Sequence, residues 1–545
     1  MVETISTQAY QGQRPGTSGL RKKTKVFMQQ HYVENFVQSV FDTVRQNSGG
    51  DFADEMLVVG GDGRYYNRPA IQAIVRVAAA NGFGRILVGR DGILSTPAMS
   101  AVIRRRGAMG GLVLSASHNP GGIEGDFGIK YNVRNGGPAP ETVTEEIYEH
   151  TLKIARYLTV KSADINLARE GAVKVLDAEV TVIDPLADYT ALMEEIFDFD
   201  LLRALFSGGF RMIFDAMHGV TGPYAHHILE RLLGAAEGTV FRGQPLEDFG
   251  GLHPDPNQVH AAELVRLMSR PDAPELGAAC DGDGDRNMIL GCGFYVSPGD
   301  SLAVIADQAH KCIPGYCAGL SGVARSMPTS TAIDRVARSL GIPCFETPTG
   351  WKFFGNLMDA GMCTLCGEES FGTGSDHVRE KDGLWAVLCW LSILAADRTP
   401  PASVVREHWR QFGRSYYQRH DFEGLDSTAA NGMIDDLRRK LPDLPGFSLA
   451  GSSVKAADDF SYADPVDGSI SEHQGLRILL ADKSRIVCRL SGTGTAGATL
   501  RIYLEGYRTE SDLPIRQILE PLLQASMQLL NLEERTGRQQ ATVIT

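Results

Sequence analysis

A chain of 545 residues is too long for one hydrophobic core, and its length alone implies three to four domains. Its 43% hydrophobic and 22% charged content is ordinary for a globular protein in water. A net charge of −13 argues against nonspecific binding to nucleic acid or acidic membranes, which depends on basic surface. Nine scattered cysteines read as free buried thiols in a reducing compartment.

Residues 1–13 contain no apolar run, so no secretory signal is visible and a cytoplasmic location is expected. Residues 96–107 begin Thr-Pro, continue with apolar periodicity, end on three arginines and stop at Gly107. That order predicts a helix with its N-cap at Thr96. Residues 221–234 and 331–341 have a similar shape. A short apolar strand follows each, at 112–114, 239–241 and 343–345, and three such occurrences predict three related α/β domains.

Each unit also contains a strand that runs into an unusual loop. The first strand ends in Ser-Ala-Ser-His-Asn-Pro-Gly-Gly at 115–122. The second, 276–280, meets Asp281-Gly-Asp-Gly-Asp-Arg286, and the third, 362–366, meets Gly-Glu-Glu-Ser-Phe-Gly at 367–372. Sites in α/β sheets lie beyond the carboxyl ends of strands, so the three loops are expected to share one cleft. The apolar stretch 384–396 is too short to span a bilayer and is expected as a core helix. From about residue 401 a hairpin signal at 476–490, an alternating strand at 500–504 and a helix from 514 to about 530 predict a fourth, α+β domain. The expected boundaries are 1–188, 189–305, 306–400 and 401–545, and the polar segment 536–545 is expected to fray.

Several residues carry chemistry. Ser117 could be only a turn residue. A hydrolase would need a nucleophile elbow, which is absent, and the adjacent His118 is poorly placed to deprotonate Ser117. Ser117 as carrier of a covalent group fits better, provided that other loops supply charge. Asp281, Asp283 and Asp285 repel one another and call for a cation. Gly282 and Gly284 let the backbone curl enough for one ion. The EF-hand pattern fails, because Arg286 and Cys292 stand where Gly and Glu are required. Oxygen ligands without His favour Mg²⁺, completed by a phosphate oxygen. Arg286 could neutralise a transferring phosphoryl group. Residues 492–497 match G-x-G-x-x-G, but a strand rather than a helix follows, which excludes a dinucleotide fingerprint. A phosphate cradle remains: Ser491, Thr493 and Thr495 between Arg489 and Arg501. Glu368 and Ser370 offer groups that bind sugar hydroxyls. Lys381 lies in a charge run, ordinarily a solvated surface.

Together with Pro-Gly-Thr-Ser-Gly-Leu-Arg at 15–21, Gly-Asp-Phe-Gly-Ile-Lys at 125–130 and Pro-Thr-Gly-Trp-Lys-Phe at 348–353, these motifs span nearly the whole chain in one order. The sequence resembles the α-D-phosphohexomutase superfamily, in its long phosphoglucomutase branch. Ser115, where Thr is common, is one departure. The resemblance implies three related α/β domains with mixed sheets plus a C-terminal α+β domain like the TATA-box-binding protein, around a central cleft. It implies interconversion of α-D-glucose 1-phosphate and glucose 6-phosphate through a phosphorylated Ser117 and glucose 1,6-bisphosphate. Mg²⁺ would be held by Asp281, Asp283, Asp285 and the phosphoserine. Lys381 and His118 are implied in proton transfer, and Arg286 in charge neutralisation. Thr17, Arg21 and Lys130 would line the active-site loop region. Thr349, Gly350, Glu368 and Ser370 would hold sugar, and Arg489, Ser491, Gly492, Thr493, Gly494 and Arg501 the non-reacting phosphate. The expected partners are small sugar phosphates, not nucleic acid or membrane, and the expected state is a monomer or loose homodimer. A catalytically silent scaffold is disfavoured, since both the serine and the aspartates are present.

Overall fold

The computed structural model describes residues 1–16, 18–491, 497–510 and 512–545. The first unit is built on a seven-stranded sheet in the order Leu20–Lys23, Asp126–Val133, Gly110–Leu114, Met56–Gly61, Arg85–Ile93, Ala178–Ile183 and Gly171–Val175. Its central strands are parallel and its outer ones antiparallel. Every residue of Met56–Gly61 and Gly110–Leu114 is buried. That is why both read as continuous apolar runs: helices such as Asn67–Ala80 and Thr96–Arg106 cover the sheet.

The second unit orders Val240–Phe241, Met212–Asp215, Leu276–Cys280, Asn287–Gly291 and Phe294–Val296. The third orders Cys344–Thr347, Val323–Ser326, Leu365–Gly367 and Thr373–Ser375. The three sheets share a motif. The strand that enters the functional loop lies beside a parallel neighbour, and the strand that leaves it returns antiparallel along the other edge. The functional loops are therefore hairpin connections with both ends tied into a ladder.

The expected helix at 96–107 is Thr96–Arg106, but its cap is Ser95, whose side chain accepts from the Ala98 amide, and Gly107 ends it at φ +64°. The segment from Thr221 is not one regular helix: Thr221–Ala225 continues as a π-helix, His226–Leu232. Gly383–Asp397 is a core helix buried from Gly383 to Ala395, packed in one apolar cluster with the second and third units. Its Trp385 and Trp390 indoles donate to Tyr316 and Ser301. No helix among the described residues is long and apolar enough to cross a membrane. The nine cysteines are free, though Cys292 and Cys317 are exposed and Cys312 and Cys344 half-buried rather than buried.

The fourth unit is one antiparallel sheet in the order Ser448–Leu449, Ser452–Asp459, Leu476–Leu480, Arg485–Ser491, Ala498–Arg508, Arg414–Leu425 and Val543–Ile544. Helices Ser427–Lys440 and Ile515–Leu530 pack on it through a separate core. The tail is not frayed: Val543 and Ile544 pair with Asp421 and His420, because that edge otherwise leaves backbone groups unpaired. This unit meets the third through a closed set of charges. Arg485 pairs with Glu505 at 2.6 Å and donates to the Met327 carbonyl at 2.7 Å. Glu505 also accepts from Ser330, the Thr331 amide and the Thr331 hydroxyl at 2.8–3.0 Å.

Candidate active site

Ser117 stands at the end of the strand Gly110–Leu114, with φ +53°, and is 2% exposed. Few non-glycine residues hold that conformation unless the surroundings impose it. Here the buried Arg64 does so, donating to the Ser117 carbonyl at 2.7 Å and the Asp126 carbonyl at 2.8 Å. Asp62 holds Arg64 at 2.9 Å, both side chains being fully buried, and the guanidinium lies over the Phe249 ring. The Ser115 hydroxyl accepts from the Ser117 amide and reaches both Asp62 and Asp283. Sequence reasoning missed Asp62 and Arg64. The available signal was Asp-Gly-Arg directly after a fully apolar strand.

The Ser117 hydroxyl donates to Asp281 Oδ2 at 2.8 Å and lies 3.3 Å from His118 Nδ1. The two loops touch because position 282 has no side chain: a Cβ there would come within 2.8 Å of the Ser117 carbonyl. Gly284 serves the other expected purpose, turning the loop at φ +81°. Gly282 has no positive φ, so the curl rests on Gly284. The Asp281, Asp283 and Asp285 ligand atoms lie within 4.8 Å of one another, and all three residues are buried. Thr96 donates to Asp283 from its hydroxyl, and its amide bonds the Asp283 carbonyl.

This centre is unbalanced. Burial, then the neighbouring Asp283 and Asp285, push the Asp281 carboxyl well above its usual range. Burial also opposes ionisation of Asp283, but Lys130, the Thr96 hydroxyl, Arg21 and Lys381 outweigh it and hold its pKa low. Asp283 Oδ1 and Asp285 Oδ1 are buried and accept no hydrogen bond. Orphaned anionic oxygens on an all-oxygen donor set fit a hard divalent cation. The comparable cluster at the site's rim, His253, Asp255 and His260, has a different donor chemistry.

Cations surround the carboxylates. Lys381 Nζ is 3.1 Å from Asp285, and although burial disfavours its charge, Asp285, Glu368 and Asp281 together outweigh it and raise its pKa. The charge run at 379–382 is thus not a solvated surface. Arg286 pairs with Asp255 at 3.3 Å and approaches Asp281 at 3.9 Å. Arg21 is drawn toward Asp283 and Asp285, although burial lowers its pKa. Lys130 is held at 2.6 Å by Glu380, a residue the sequence reading passed over. His118 is kept neutral by burial, then by Arg286 and Arg21, which hold its pKa well below the usual range.

The third loop bonds to the second, since the Asn287 amide donates to the Phe371 carbonyl at 2.9 Å and the Gly383 amide to the Gly284 carbonyl at 3.0 Å. Glu368 accepts from the Gly350 amide at 3.0 Å, and burial raises its pKa against the pull of Lys381. Ser370 is half-buried on the same loop. From the fourth unit, Arg489 donates to the Thr349 hydroxyl at 2.6 Å. Arg489 and Arg501 face each other across the antiparallel ladder, and Ser491 pairs with Thr499. Like charges opposite one another destabilise a sheet unless an anion lies between them. Asp421 lies 3.7 Å from Arg501. Thr17, Gly492, Thr493, Gly494 and Thr495 lie outside the described residues.

Family models cover most of the chain. Phosphoglucomutase/phosphomannomutase alpha/beta/alpha domains I, II and III match residues 12–158, 187–291 and 298–412. The phosphoglucomutase-1 C-terminal domain matches 414–542. A Rhizobium radiobacter phosphoglucomutase is 57% identical over 548 residues, covering 100% of both chains. A cytoplasmic phosphoglucomutase of Pisum sativum is 50% identical, covering 100% of this chain and 99% of that one. The crystal structure of the Paramecium phosphoprotein pp63/parafusin, a phosphoglucomutase in an open form, superimposes with a TM-score of 0.93 at 49% identity, covering 100% of this chain and 99% of that one. A chain matched in all four parts, with its loops at 115–122, 281–286 and 367–372 bonded into one centre, belongs to the phosphoglucomutase/phosphomannomutase family.

Proposed function

We propose that this chain interconverts α-D-glucose 1-phosphate and glucose 6-phosphate, with Ser117 Oγ carrying the phosphoryl group between turnovers. The substrate's O6 attacks that phosphorus: the O6–P bond forms, the Oγ–P bond breaks, and the O6 proton leaves to a base. The product, glucose 1,6-bisphosphate, turns within the cleft. Ser117 Oγ then attacks the phosphorus on O1, the O1–P bond breaks, and glucose 6-phosphate departs. Phosphate is conserved, so the net change is an isomerisation.

Charge decides the roles. A phosphoryl dianion on Ser117 would meet Asp281, whose Oδ2 already lies 2.8 Å from the hydroxyl. Mg²⁺ held by Asp281, Asp283, Asp285 and the phosphoserine would supply the positive charge this juxtaposition requires. Lys381, kept protonated by Asp285, donates to the oxygen that leaves phosphorus. The neutral His118 supports Ser117 as an acceptor, and Arg286, Arg21 and Lys130 neutralise the phosphoryl oxygens. Glu368, Ser370, Thr349 and Gly350 hold the sugar in either pose. Arg489, Ser491, Gly492, Thr493, Gly494 and Arg501 grip the phosphate that is not reacting. We place the enzyme in the cytoplasm, as in the Pisum sativum relative, although other relatives are named chloroplastic.

The carrying observation is the position of the Ser117 hydroxyl against a carboxylate centre in which Asp283 Oδ1 and Asp285 Oδ1 lack donors. A coupled mutase assay with intact-mass analysis tests it. Wild type should carry one phosphoryl group after incubation with the bisphosphate. Ser117→Ala should carry none and lose activity by about 10⁴-fold or more. Full activity in the variant overturns the reading.

A further inference from the structure

Beside the aspartate centre stands a second set of donors that the reaction does not use. His253, Asp255 and His260 place their ligand atoms within 4.8 Å of one another. Three donors on one ion with bonds near 2.1 Å stand at most about 4.2 Å apart, so a small closure suffices. His260 is exposed and able to supply it, whereas His253 is half-buried. The two rings are stacked, with centroids 4.2 Å apart and planes 12° from parallel, which holds the two imidazoles together beside Asp255. His253 Nδ1 is buried without a hydrogen-bond partner. An unsatisfied ring nitrogen calls for an explanation, and a bound ion supplies one here.

We infer that His253, Asp255 and His260 form a second cation site, selective for a borderline ion of the Zn²⁺ class over Mg²⁺. Two imidazoles and one carboxylate are the donor set such ions prefer, with water in the fourth position. The three aspartates, all oxygen, prefer the hard ion. The second site is also wired to the first. Asp255 Oδ1 lies 3.3 Å from Arg286, and the Pro254 carbonyl accepts from the Gly282 amide at 3.2 Å. An ion that draws Asp255 away releases Arg286 from its partner and slows turnover without displacing Mg²⁺.

The test uses the full chain with Mg²⁺ in excess. Wild type dialysed against Co²⁺ should hold one equivalent more than His260→Ala. It should also show the visible d–d absorption of low-coordinate Co²⁺, which the variant lacks. This arm needs no substrate, so its outcome is independent of the proposed reaction. Equal stoichiometry and equal spectra overturn the site. With glucose 1-phosphate as substrate, half-inhibition by Zn²⁺ should need about tenfold more ion in His260→Ala. Equal Zn²⁺ sensitivity overturns the link to Arg286.

Discussion

At the junction of the third and fourth units, Glu505 receives Arg485, two hydroxyls and a backbone amide. Around Ser117, three carboxylates are equally buried, yet Asp283 and Asp285 each keep an oxygen that nothing in the protein satisfies. Both regions remove charge from water, which is costly in either case. The junction closes its account internally, so its charges fix one domain against another. The centre, in the proposed function, takes its balance from an ion and a phosphoryl group, and the buried Arg64 and Asp62 hold its shape.

Substitutions that remove charge should move the two regions in opposite directions. The largest effect is expected for Asp281→Asn, which should lower kcat by roughly 10³-fold while raising the melting temperature of the chelator-treated protein. The sign follows from its raised pKa: the ionised carboxylate opposes folding, and a neutral amide relieves that. Scanning calorimetry in the presence of a chelator, beside steady-state kinetics, decides this; lower thermal stability would erase the contrast. Glu505→Gln should do the reverse, leaving the chemical centre intact but destabilising the junction by about 3 kcal/mol at neutral pH. Burial alone would raise the Glu505 pKa, but Arg485, Ser415 and Arg335 push it down to about 2. A depressed pKa contributes stability that is complete above the unfolded value near 4.5 and is lost as pH falls toward about 2. Denaturant midpoints measured across that window should therefore converge for wild type and variant at the acid end. The smallest effect is expected for Thr349→Val, which removes the hydroxyl that receives Arg489. KM should rise about tenfold with kcat nearly unchanged. A fall in kcat instead would place that contact in the reacting half of the cleft.

The centre was legible where chemistry is written locally. The loops at 115–122 and 281–286 each pack reactive side chains and turn residues behind an apolar strand, and both lie where that order implies. What sequence did not disclose depends on partners far along the chain. Lys130 is set by Glu380, 250 residues away, and Thr96 by Asp283, 187 away. No periodicity reports such pairings. The same holds for the tail. Residues 536–545 look soluble and loose in isolation, and Val543–Ile544 becomes a strand only because an edge at Arg414–Leu425 is free to receive it. The π-helical segment His226–Leu232 was illegible for another reason, since its composition differs little from that of an ordinary helix.

Ser117 sits at φ +53°. A threonine at this place would offer the same hydroxyl and form the same kind of phosphate ester. Its branched Cβ, however, is a steric outlier in the left-handed region, where even an unbranched side chain pays roughly 1–2 kcal/mol. Reactivity therefore does not choose between the two alcohols at this position. With Ser117 as the proposed phosphoryl carrier, the choice between the two alcohols falls to a backbone dihedral angle, and the Arg64 guanidinium that bonds the Ser117 carbonyl holds that angle.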